Sequence, residues 1–242
     1  MGSKFEIISE LANKTSKKIA SNPREWKAFL KVAAQIYKYP FTDQLLIYAQ
    51  RPEVTACASI TIWNRRMNRW VKRGAKGIAL IDTVKSKPRL KYVFDVKDTC
   101  PGKNAVNPKI WQLRNEHHDA VIKNLESIYG AANGSFAGRI ADIAEAAAEE
   151  MCGEFLNDLI MSKGNSFLED LDDLNTEVFF RNTVTASVQY IILTRCGIDA
   201  DEYVSDDDLN GIVNFNTEQT LSYAGHASST ISEQVLRQIE RQ

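Results

Sequence analysis

Three histidines, four scattered cysteines and no long apolar run set the first limits on this 242-residue chain. The histidines are His117, His118 and His226. Two zinc-binding imidazoles share a helical face only at i, i+4 spacing, whereas adjacent residues such as His117 and His118 point about 100° apart on a helix. No HExxH occurs, so the metallopeptidase reading lacks its ligands, and Glu116, His117, His118 and Asp119 remain a cluster without the required spacing. Cys57, Cys100, Cys152 and Cys196 form no CxxC pair, which excludes a zinc knuckle or redox motif and predicts free thiols in a cytoplasmic protein. No apolar stretch approaches the roughly 20 residues of a membrane span, and the polar, charged start does not read as a signal peptide. The GAKG turn (74–77) has the spacing of neither a P-loop nor GxGxxG. No local signature of a serine or cysteine nucleophile is present. These absences predict a non-enzymatic protein without metal or cofactor and without a membrane partner.

What is present is divided by charge. The net charge of -1 conceals 22 Lys+Arg against 8 Asp+Glu in residues 1–112, and 8 against 23 thereafter. Such a split predicts a basic half that meets a polyanion and an acidic half with another task.

The pattern of apolar residues predicts an α+β fold, with N-terminal helices and a small antiparallel sheet followed by a mainly α-helical second domain. Phe5 to Ala20 reads as an amphipathic helix, and Asn22 and Pro23 as the cap and first residue of the next, which carries Trp26, Phe29, Leu30 and Ala33 on one face. Thr42 or Asp43 would cap a third helix that ends before Pro52. Residues 55–58 read as a short strand, and Ser59 as the cap of a short helix through Trp63 and Met67. Residues 70–73 and 78–82 read as strand, turn and strand, and Leu90 to Val96 as a further strand reached by a loop over 85–89. Residues 98–108 hold Pro101, Gly102, Asn104, Asn107 and Pro108, and so predict a linker. The expected division is a basic domain over 4–98, a linker over 99–109 and an acidic helical domain over 110–242. Helices are expected over 111–129, 136–161, 176–196, 208–215 and 217–239. The acids at 169–177 and 199–208 stand mostly at helix starts, where negative charge favours the macrodipole.

Ser59 to Asp82 concentrates the chemistry. Trp63 and Trp70 stand among Arg65, Arg66, Arg69, Lys72, Arg73 and Lys76, with one acid, Asp82, at the far end. Cations neutralise phosphates and exposed rings stack on unpaired bases, so this composition points to single-stranded DNA, against the plainer reading of a basic surface over two core tryptophans. Trp70 is the better stacking candidate, because a strand turns one side to water. Trp63 shares the helical face of Ile60 and Met67 and so has an inward reading as well. Tyr48 is a further candidate ring, whereas Trp26, Phe29, Tyr37 and Tyr39 read as core.

FTDQLLIYAQ (41–50), ASITIW (58–63) and WVKRGAKGIA (70–79) resemble the N-terminal domain of ArdC-type antirestriction proteins, in the version found in large proteins of conjugative transposons of Gram-positive bacteria. The likeness covers about residues 5–97. It keeps Trp63, the KRGAKG turn and the strand after it, and departs at Asn68, where the family usually has glycine. It implies single-stranded DNA binding during transfer of a mobile element. In that family a zinc-peptidase-like domain follows. TASVQY (185–190) and RCGID (195–199) resemble its downstream helix, with Ala186 where a glutamate ligand would stand. The resemblance therefore implies a peptidase-like scaffold that has lost its metal. The partner expected is single-stranded DNA, with other conjugation proteins beside it. The alternative is an anti-defence protein whose acidic half binds a host nuclease, such as a restriction enzyme or a CRISPR effector.

Overall fold

The computed structural model describes residues 3–82 and 88–242. Among these residues it is an α+β fold of nine α-helices and five short strands. The first helix, α1 (Lys4–Ile19), opens on a capping box in which Ser3 and Glu6 satisfy each other's backbone amides. In α2 (Pro23–Gln35), Asn22 accepts from the Glu25 amide at 3.1 Å and Pro23 takes the first helical position. The next helix, α3 (Phe41–Gln50), starts without a side-chain cap. Asp43, expected as a cap, is buried instead and accepts from Lys91 at 2.8 Å. After β1 (Cys57–Ala58), Ser59 caps α4 (Ile60–Met67) as expected.

The strands β2 (Arg69–Val71), β3 (Ile78–Asp82), β4 (Arg89–Asp95) and β5 (Thr99–Pro101) form two antiparallel sheets, in the orders β1-β4-β3 and β2-β5. This corrects the strand–turn–strand reading of residues 70–82, because β2 and β3 lie in different sheets. The two glycines between them act differently. Gly74 supplies a φ of +83°, which a residue with a Cβ adopts poorly, while Gly77 lies so close to the Phe94 ring that a Cβ would approach it to 3.0 Å. The loop expected over 85–89 falls largely outside the described residues.

The stretch 99–109, read as a linker, is tied down. Its β5 pairs with β2, the Val106 amide donates to the Met67 carbonyl at 2.8 Å, and Asn107 accepts from Arg69. Residues 110–114 are not helical, and α5 runs from His118 to Tyr129. Cys152 and Gly153 break the expected long helix into α6 (Phe136–Met151) and α7 (Gly153–Ser162). Asp172 caps α8 (Asp173–Arg195), and Thr217 caps α9 (Glu218–Glu240). The short helix expected over 208–215 is a 3₁₀ turn, Asn210–Asn214.

One continuous core takes residues from both sides of the 99–109 stretch. At its centre α8 packs against α2, α6 and α9 and is buried on most sides from Thr183 on, while its first turns leave Leu174, Val178 and Phe179 exposed, so its sequence shows little amphipathic contrast. Trp26, Phe29, Phe41 and Tyr48 form an aromatic group within it, with ring centroids 5.1 to 5.8 Å apart. Lys27 reaches across to the acidic half, donating to the Val204 carbonyl at 2.7 Å and pairing with Asp201 and Asp206 at 3.2 and 3.0 Å. Part of the charge split is therefore neutralised inside the molecule.

Candidate nucleic-acid interface

The candidate face is built on α4, the turn after it and the β2–β5 ribbon. Helix α4 ends at Asn68, which adopts left-handed dihedrals (φ 48°, ψ 45°). Asparagine tolerates that conformation better than most residues, so it can stand where glycine would be usual. Its side-chain amide donates to the Lys103 carbonyl, which draws the segment after β5 up against the end of α4.

The ribbon then sorts its residues by side. Trp70 is 54% exposed and lies opposite Cys100, which is exposed as well. The edge of the indole rests on Gly102, where a Cβ would meet Trp70 Nε1 at 3.0 Å and the Asn68 carbonyl at 2.9 Å. Arg69 points the other way. It is buried, donating through Nε to Thr99 Oγ1 at 2.8 Å and through Nη1 to Asn107 Oδ1 at 2.9 Å. Its guanidinium is thus a tie within the fold rather than a free phosphate contact.

Trp63 and Tyr48 are likewise corrected as stacking candidates. Trp63 is 1% exposed, and its indole NH donates to the Phe94 carbonyl at 2.8 Å, which takes up its polar edge. Tyr48 is buried edge-on against Phe29. Both are large apolar side chains on helix faces turned to the core, and sequence spacing alone separated this from exposure only for Trp63.

The remaining cations are exposed: Arg65 and Arg66 in the last turn of α4, and Lys72, Arg73 and Lys76 in the turn after β2. None of the five has an ion-pair partner among the described residues. Lys72 donates to the Lys97 carbonyl at 2.7 Å, which steadies the turn and leaves its charge unanswered. Asp82, the one acid of the stretch, receives Arg89 at 3.0 Å. The stretch therefore offers one half-exposed indole on a short ribbon and, in the helix and turn that flank it in the chain, five exposed cations without an ion-pair partner among the described residues. Gly102 and Lys103 belong to the same corner. Pro101 and Gly102 were legible as part of a linker, but not as a support for Trp70.

Elsewhere the titratable groups are placed for structure. Burial pushes the thiols of Cys57, Cys152 and Cys196 up to about 12, so each is protonated at neutral pH and a poor nucleophile. His118 stacks on Phe136 at 4.1 Å, and His226 meets the Phe41 ring at 5.5 Å. Among the described residues no three His, Cys, Asp or Glu side chains come together as a metal site would need. Ala186 lies on α8 in a polar hollow with Asn182, Gln189 and Asp207. No described helix is long and apolar enough to cross a membrane. Comparison with family models, curated proteins and solved structures finds no match to this chain.

Proposed function

We propose that the face around Trp70 binds single-stranded DNA without chemical turnover, as a module of a conjugative mobile element linked to antirestriction. The observation that carries this reading is the exposed Trp70 indole, its edge against Gly102, in a stretch with five exposed cations that have no acidic partner among the described residues. An indole exposed on a short, pinned ribbon offers a stacking platform without loss of loop entropy on binding. Arg65, Arg66, Lys72, Arg73 and Lys76 would track the phosphates. The resemblance of residues 41–79 to ArdC-type N-terminal domains supports the same reading and supplies its setting, transfer of a mobile element.

The alternative, in which the acidic half captures a host nuclease, draws on less free charge than the composition implies. Asp201 and Asp206 are paired with Lys27, Lys31 and Arg24, and Asp208 accepts from Ser205. Fluorescence anisotropy with matched single- and double-stranded oligonucleotides over a salt series tests the proposal. Five phosphate contacts predict a log–log salt slope of about −3.5 on the single strand. Equal affinity for both strands, or a flat salt response, would sink it.

A further inference from the structure

Arg195 ends α8 and is 8% exposed. Buried arginines are ordinarily paired. This one has no ion-pair or hydrogen-bond partner among the described residues, and its Nε is sealed from solvent with nothing to donate to. What surrounds it is aromatic. The guanidinium lies 3.9 Å from the ring centroid of Trp111 and 5.9 Å from that of Tyr37. Burial holds its pKa below the usual arginine value, so the charged form is under-solvated where it stands.

The nearby carboxylate is already engaged. Glu240 accepts from Tyr37 Oη at 2.9 Å and from Lys38 Nζ at 2.6 Å. The rings are fixed as well, since Trp111 Nε1 donates to Tyr37 Oη at 3.1 Å and Tyr39 Oη donates to the Cys57 carbonyl at 2.9 Å. Beside the guanidinium a cavity of about 160 Å³ opens between the end of α2 and the 108–111 segment. Tyr37, Tyr39, Ile110 and Trp111 form its walls, and Lys109, which has no ion-pair partner among the described residues, stands at its edge, whereas Lys38 is held by Glu240. A cavity of about 150 Å³ is large enough to take a benzene-sized body.

We propose that this cavity binds a small organic oxyanion, a carboxylate or phosphate monoester on a body no larger than a benzene ring, with the oxygens on Arg195 and the body between the aromatic walls. Two coplanar oxygens match the planar donor set of a guanidinium, and the nearby Glu240 is bonded to Tyr37 and Lys38 rather than to Arg195. The site lies on a different set of residues from the Trp70 face and stands or falls independently of DNA binding.

Thermal-shift and tryptophan-fluorescence titrations of the full chain with benzoate, phenyl phosphate and inorganic phosphate test this, with benzyl alcohol as the neutral control. Benzoate or phenyl phosphate gives a saturable shift at millimolar concentration, at least tenfold stronger than benzyl alcohol, and the stronger of the two identifies the oxyanion class. Arg195→Met removes the response and leaves oligonucleotide binding unchanged. Ile110→Trp, made at a partly exposed wall position, narrows the cavity and removes the response while Arg195 stays in place, which covers the case of an unfolded Arg195 variant. The proposal is overturned if no oxyanion gives a saturable shift, if benzyl alcohol matches the anions, or if both variants respond like the parent chain.

Discussion

The indole NH of Trp26 on α2 donates to the hydroxyl of Ser187 on α8 across 2.8 Å, with both side chains fully buried. The bond joins residues 161 positions apart and welds the basic half to the acidic half at the centre of one core. The Ser187 hydroxyl in turn donates to the Thr183 carbonyl at 2.7 Å, so it is satisfied on both sides.

Unfolding is therefore expected as one cooperative transition. Trp26→Phe removes the donor, leaves the Ser187 oxygen short of a partner and opens a small void, at a cost of about 2–4 kcal/mol. Urea denaturation followed by fluorescence and by far-ultraviolet circular dichroism measures it. Coincident midpoints that fall together in the variant are the expected result, and two separated transitions would show that the halves fold apart.

Gly225 on α9 lies against the Phe41 ring, where a Cβ would come within 2.3 Å of a ring carbon. Alanine is the better helix former by about 1 kcal/mol, yet overpacking of this kind costs about 1–3 kcal/mol. Gly225→Ala is expected to destabilise the protein on balance, and a raised urea midpoint would contradict the tight contact.

His226, packed on the same ring, has its pKa lowered by burial from the ordinary 6.5. The folded protein thus keeps the imidazole neutral at pH values where the unfolded chain takes up a proton. Its contribution to stability is complete above about pH 6.5 and is lost as the pH falls from there through the folded-state pKa. Urea midpoints between pH 7.5 and 5.5 should decline in the parent chain, and the decline should be shallower in His226→Gln.

Much of this was legible in the chain because local rules and tertiary demands agree. Asn22 with Pro23, Ser59 and Thr217 cap the helices that the spacing predicts, and β4 falls where its apolar alternation lies. The pairing of β2 was not legible, since its partner β5 is three residues long and sits in a stretch rich in turn formers. Nor could composition tell Arg69 from its neighbours. In a strand, adjacent residues face opposite sides, so Arg69 and Trp70 part company whichever of them is buried, and only Thr99 and Asn107 decide which. Arg195 was hidden for a related reason, because Trp111 and Tyr37 reach it from distant segments.

The same distinction predicts opposite phenotypes for two arginines. Arg69→Ala deletes one buried and one partly buried hydrogen bond and should cost about 2–3 kcal/mol of stability. Arg65→Gln should leave stability within about 0.5 kcal/mol and make the salt slope of oligonucleotide binding shallower by about 0.7. Urea midpoints and salt-series anisotropy on both variants check this, and an exchange of the two phenotypes would reverse the assignment of sides.

The most direct measurement is the affinity of a fluorescent oligo(dT) for the parent chain and for Trp70→Ala. With the indole half exposed and outside the buried core, the variant should still fold and bind about 5–150-fold more weakly, the loss of one stacked base at about 1–3 kcal/mol. Unchanged affinity in a folded Trp70→Ala protein, or no binding by the parent chain at low salt, would contradict the account.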